Sequence, residues 1–235
     1  MKLIERIRLI LRIASYNLKI VFSGKFVYFL IAAWLFFLTI DGIMLFEDNN
    51  IDVSDIYDLL LFPGILILFY PVVYNIQNDK DTRMLEIIFG VPDYRYKVYL
   101  LRFAMALVLV MFMLVLMSAF AWFSIVKIPV LKLVIQILNP IIFIACLTFM
   151  FTTLVRNGNG AAVIMVIIGL IFFIMNEPLA SSKWNLFLNP YNVPTEMNIS
   201  VWMTIVHQNR LILAIGSIIA LLWGLMNLQY REKFM

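Results

Sequence analysis

Six stretches of this chain run for fifteen to twenty-four residues and share only two charged side chains, Asp41 and Asp58. They are Phe26–Phe46, Tyr57–Ile76, Phe103–Val126, Leu133–Val155, Ala161–Met175 and Leu211–Leu228. About 20 apolar residues, rising about 1.5 Å each, cross a hydrocarbon core of about 30 Å. Water offers no comparable home. With 64% hydrophobic and 14% charged residues, a soluble globule of 235 residues would leave large apolar patches facing solvent. The predicted fold class is an all-α integral membrane protein, one transmembrane domain over residues 1–235. An N-terminal interfacial helix precedes six transmembrane helices, and both termini are cytoplasmic.

The orientation comes from the basic residues between the stretches. Of the eighteen Lys and Arg, fourteen fall on one side of a six-span topology. Four, Lys127, Lys132, Lys183 and Arg210, fall on the other. The positive-inside rule places the rich side in the cytoplasm. It also assigns the net charge of +4 to membrane sidedness, so no nucleic-acid partner is implied. The first outer loop carries Glu47, Asp48, Asp52 and Asp55 with no base, as that orientation tolerates.

The leading segment, residues 1–24, is not a signal peptide, because Arg8, Arg12 and Lys19 interrupt its apolar run. Glu5, Arg8, Arg12, Ser15 and Lys19 share one helix face, and Leu3, Ile7, Ile10, Leu11, Ala14, Leu18 and Val21 share the other. A basic amphipathic helix of this kind lies in the interface against anionic headgroups. Gly24 offers a bend into the first span.

The chemical inventory is sparse. His207 has no neighbouring Cys or acidic cluster, so it makes neither a zinc site nor a hydrolytic triad and reads as a polar interfacial residue. Cys146 sits in an apolar run as a packing residue, and no internal disulfide is possible. No phosphate-cradling glycine loop exists, and Gly158-Asn159-Gly160 reads as a cytoplasmic turn. The chain is therefore not expected to be an enzyme, to hold a metal or to bind a cofactor itself. Polar groups inside spans are functional candidates by default. Here they are Asp41, placed near the outer end of its span where a carboxylate reaches water, and Gln136, Asn139 and Pro140 in the fourth span. Pro140, like Pro63 and Pro71, frees a carbonyl and kinks its helix, so this set is a candidate for pathway or gating. The several midplane charges and repeated halves of an ion-coupled carrier are missing. An ion-coupled carrier or channel is thus an alternative of second rank, and an intramembrane enzyme a more distant one. Asn198-Ile199-Ser200 spells a glycosylation sequon by chance.

Between the second and third spans, a cytoplasmic segment over 77–102 reads NDKDTRMLEIIFGVPDYRYKVYLLR after Gln77. Asp79 or Asp81 can cap a short helix, Met84, Leu85, Ile87 and Ile88 form an apolar ridge, and Gly90-Val91-Pro92 ends it. A short helix with exposed apolar residues implies a partner surface. The run Arg83-Met84-Leu85-Glu86-Ile87-Ile88, closed by Pro92, resembles the same loop in permease subunits of type-2 ABC exporters, including those associated with multicopper-enzyme maturation. The order of elements is similar along the whole chain. Arg83 replaces a commoner Gly, and Leu101-Arg102-Phe103 stands where many members have Gly-Lys-Phe.

The resemblance implies that this loop is a coupling helix docked on a cytoplasmic ABC ATPase, a separate chain carrying ATP and magnesium. Met84, Leu85, Ile87 and Ile88 would fill its groove, Arg83 would flank them, and Glu86 would fix the register. It further implies a second permease copy or a related permease, a pathway between the two, and a place in the plasma membrane of a bacterium. Family members often carry short outer helices before the last span. In the 177–210 segment, Trp184, Asn189-Pro190-Tyr191 and Val201-Trp202 are the amphipathic material for them.

Overall fold

A computed structural model describes residues 25–46, 51–81, 94–195 and 197–228. They form α1 (Phe26–Phe46), α2 (Val53–Val73), α3 (Asn75–Asp81), α4 (Tyr94–Ser124), α5 (Val130–Val155), α6 (Gly158–Ile174) and α7 (Ile199–Asn227). Five helices are long and apolar enough to cross a membrane, taking α2 and α3 together as one broken rod. The remaining helix, α6, is apolar but has 17 residues. The chain is all-helical over the described residues and has the make-up of a membrane-embedded protein. The predicted interfacial helix over 1–24 lies outside them.

α2 and α5 are central. α2 packs on α1, α4 and α5, while α5 also holds α6 and α7. Tyr57, Leu60 and Ile67 of α2 meet Val110, Leu114 and Met117 of α4 and Ile137 and Ile141 of α5 in one buried cluster, close to which Cys146 is enclosed. Outward-facing side chains on α1, α6 and α7 are overwhelmingly apolar, as lipid requires. Aromatic side chains crowd one end of the bundle, with Phe46, Trp122, Phe123 and Trp184 exposed, and Tyr28 marks the other. Along α1, Tyr28 and Phe46 stand about 27 Å apart, close to the thickness of a bilayer core.

Several boundaries differ from expectation, each for a local reason. α2 begins at Val53 because the Asp55 carboxylate accepts the Asp52 backbone N–H at 2.9 Å, one arm of a capping box. Three residues after Pro71 the helix breaks at Tyr74, then resumes as α3. Pro63 and Pro140, by contrast, sit within unbroken helices. Gly158-Asn159-Gly160 is not a turn: Asn157 caps α6 by accepting the N–H groups of Asn159 and Gly160, so the glycines open the helix. The turn is Arg156-Asn157, with Arg156 in the left-handed region at φ 59°.

α7 starts twelve residues before the predicted sixth span and takes in Val201, Trp202 and His207. Its N-cap is Asn198, whose side chain accepts the Ser200 N–H at 3.1 Å, so the sequon spelling has a structural use. The described residues between α6 and α7 are turns and irregular chain rather than the expected short helices.

Gly216, Ala220 and Gly224 form a small-residue stripe on α7, facing Phe143 and Phe149 of α5. A Cβ at Gly224 would lie 2.6 Å from the Phe149 ring and 3.3 Å from the Met150 backbone, whereas at Gly169 it would meet nothing within 4 Å. Gly224→Ala is therefore expected to destabilise by about 1–3 kcal/mol. Gly169→Ala should gain up to about 1 kcal/mol from helix propensity. Thermal unfolding of the two variants in detergent checks the opposite signs.

Candidate functional site

The polar groups singled out by their place in the spans do not gather at one point. Arg83, Met84, Leu85, Glu86, Ile87 and Ile88 lie outside the described residues. Asp41 is 2% exposed, so it does not reach water; it accepts the Ser124 hydroxyl at 3.2 Å, tying α1 to α4. Asn139 turns its amide back to the Ile135 carbonyl of its own helix at 2.9 Å. Only Gln136 belongs to a wider network, accepting Arg210 Nε at 3.0 Å.

Two polar centres stand instead at opposite ends of the bundle. At the end where α3 leads toward residues 82–93, Arg102 of α4 is buried two turns inside its helix. One terminal nitrogen donates to Asp79 Oδ2 at 2.6 Å and to Asn75 Oδ1 at 3.0 Å, both on α3. Both partners of the ion pair are 5% exposed, and the Tyr99 ring lies under the guanidinium, 6.0 Å from its carbon. Asp79 thus pairs with α4, and Asp81 accepts the Gln77 amide within α3; the short helix that either was expected to cap lies outside the described residues. On its other flank α3 touches the start of α6. Tyr74 donates to Asn159 Oδ1 at 3.1 Å, and Gly158 N–H donates to Gln77 Oε1 at 3.3 Å.

At the opposite end, Arg210 of α7 donates to four neutral oxygens: Gln136 Oε1, Asn209 Oδ1, the Tyr57 hydroxyl and the Leu188 carbonyl. Asn209 in turn donates to the Lys183 and Asn185 carbonyls, Trp202 Nε1 to the Pro190 carbonyl, and Asn189 to Ser54 at the start of α2. The 175–198 segment is thereby stitched to α2, α5 and α7 as a cap. Within it, burial raises the Tyr191 phenol above its ordinary range while the Arg210 charge works the other way.

No protein-family model, curated protein or solved structure matches the chain.

Between these centres an apolar crevice of about 510 Å³ follows α2, lined by Phe62, Leu66 and Phe69, with Leu147 of α5 and Val166 and Phe173 of α6. It exists because α6 is buried against the bundle only at Gly158, Ala161 and Met165 and is nowhere buried beyond them. Its wall is almost wholly apolar, so it suits an acyl chain or another helix rather than a polar solute. Among the described residues no three His, Cys, Asp or Glu side chains come together in a way that could hold a metal.

The pairing of Asp79 with Arg102, and of Arg210 with Tyr57, Asn209 and the cap, was not expected from the sequence. A signal existed: Arg102 and Arg210 each stand one residue before an apolar stretch. A charge there belongs to a loop or to a helix that began earlier, and both helices began earlier.

Proposed function

We propose that this chain is the membrane-spanning permease subunit of an ATP-driven ABC exporter, working as a dimer with itself or a related permease and driven by a separate cytoplasmic ATPase. The observation that carries this reading is the Arg83–Ile88 run closed by Pro92, placed between α3 and α4 as a coupling helix would be. Met84, Leu85, Ile87 and Ile88 fill the ATPase groove, and Glu86 fixes register beside Arg83. ATP and magnesium sit on the partner, and its closing and opening is passed to the spans. The crevice along α2 and α6 supports a boundary between two copies, since an apolar concavity of about 510 Å³ suits a helix of the second copy.

In this reading α6 is the fifth of six spans. Seventeen residues rise about 26 Å, near the thickness of a bilayer core. The basic residues orient the whole. Setting aside the buried Arg102 and the half-buried Arg210, thirteen lie on the 82–93 side and three on the other, so that side and both termini face the cytoplasm of a bacterium. Residues 1–24 rest in the same interface.

The test is affinity purification of the tagged chain in mild detergent, wild type beside the Leu85→Asp/Glu86→Arg double variant. A stoichiometric ATP-hydrolysing subunit is expected with the wild type and lost from the variant. A folded wild type that never brings down an ATPase would sink the proposal and leave ion-driven flux as the next assay.

A further inference from the structure

The rod formed by α2 and α3 is interrupted at Tyr74, and beyond that break α3 is described from Asn75 to Asp81. Because the helix is broken there, side-chain ties decide where α3 points, and with it where the chain leaves toward residues 82–93. Among the described residues those ties are unequal. Toward α6 they are the neutral bonds of Tyr74 and Gln77, in exposed or partly buried surroundings, at 3.1 and 3.3 Å. Toward α4 the tie is the Asp79–Arg102 ion pair, 2.6 Å long, 5% exposed on both sides and braced by Asn75 and the Tyr99 ring. Asp79 lies three residues before the loop and Arg102 nine after it, so the pair closes the chain across the loop's base.

A buried ion pair is an expensive way to hold two helices together, because apolar side chains of similar size commonly do as well or better for stability. What it adds is direction and register, since only one arrangement satisfies both charges. We propose that Asp79 and Arg102 are positioning residues for energy coupling: they lock the base of the 82–93 loop to α4, so that a push on that loop moves α3 and α4 as one body. The proposal rests on the permease reading above. It adds that α4, rather than α6, is the span that receives the stroke first, and that charge pairing is the part that transmits it.

The experiment compares wild type with Asp79→Leu/Arg102→Leu, each reconstituted in vesicles with the ATPase that co-purifies with it. Three readouts are taken: thermal unfolding, stoichiometry of the bound ATPase, and the rate at which the permease stimulates ATP hydrolysis. The leucine pair is expected to unfold at or above the wild-type temperature and to keep its ATPase. Its stimulation of hydrolysis is expected to fall at least about tenfold. Stimulation at the wild-type level would overturn the proposal and leave the pair a purely structural contact. Should the leucine pair fail to fold, Asp79→Asn keeps the shape and one acceptor while removing the charge. A partial loss of stimulation with bound ATPase retained then supports the proposal, and full stimulation overturns it. A wild type that recruits no ATPase overturns the permease reading and this inference together, an outcome distinct from normal coupling in the variants.

Discussion

Asp79→Ala is expected to lower the stability of the folded chain by about 3–5 kcal/mol, because it leaves the Arg102 guanidinium buried with no carboxylate. Arg102 is 5% exposed and cannot swing to water without dragging α4 off α3. The remaining partners, Asn75 Oδ1 and the Tyr99 ring, solvate a cation only in part. The loss should exceed that of Gln77→Ala on the same short helix. Gln77 donates to the exposed Asp81 carboxylate and accepts the Gly158 N–H in partly buried surroundings, each bond contributing about 1 kcal/mol. Thermal unfolding in detergent reads the difference as a fall in the apparent midpoint on the order of 10 °C for Asp79→Ala. A shift no larger than that of Gln77→Ala would mean that the pair is hydrated.

Arg210→Met should be nearly as damaging at the opposite end. Methionine keeps much of the side-chain length but withdraws donors from Gln136, Asn209, Tyr57 and Leu188 at one stroke. Leaving a buried acceptor unmet costs about 1–3 kcal/mol, and even if half of these oxygens find water the total is about 3 kcal/mol. Arg210→Lys should recover only part, since one ammonium cannot reach four oxygens that a planar fork meets from three nitrogens. The damage would be local first. The 175–198 cap depends on Asn209 and Leu188, so limited proteolysis should cut it at least about tenfold faster in Arg210→Met than in wild type. Equal cleavage would show that Asn189 and Trp202 hold the cap without Arg210.

These two arginines also mark where sequence reasoning stops. Every long helix was visible as an apolar stretch, because the demand that lipid makes on composition is local and a window along the chain detects it. The starts of α4 and α7 were missed by nine and twelve residues, since Arg102 and Arg210 read as loop charges. Nothing in the neighbourhood of Arg102 says that Asp79 will neutralise it, nor does anything near Arg210 announce Tyr57, 153 residues away. A buried polar side chain is allowed by partners that sit elsewhere in the sequence. Asp41 went the same way: its partner Ser124 lies 83 residues off, and the carboxylate was assigned to water instead. The caps were missed although their signal is local: Asn157 and Asn198 act on groups two or three residues ahead, yet Gly158-Asn159-Gly160 read as a turn and Asn198-Ile199-Ser200 as a chance spelling. The apolar crevice had no precursor in the sequence at all, since it comes from the splay of α6, which only packing decides.

Cys146 is the one thiol in the chain, and the packing of α5 shuts it away at 2% exposure. A thiol so enclosed is slow to meet a maleimide or a nitroxide reagent. The molecule is thus already silent to cysteine-directed labels, with no background to remove by mutation. Pairs of probes introduced at exposed positions such as Lys80 and Lys97 would report the distance between α3 and α4 without interference from the native chain.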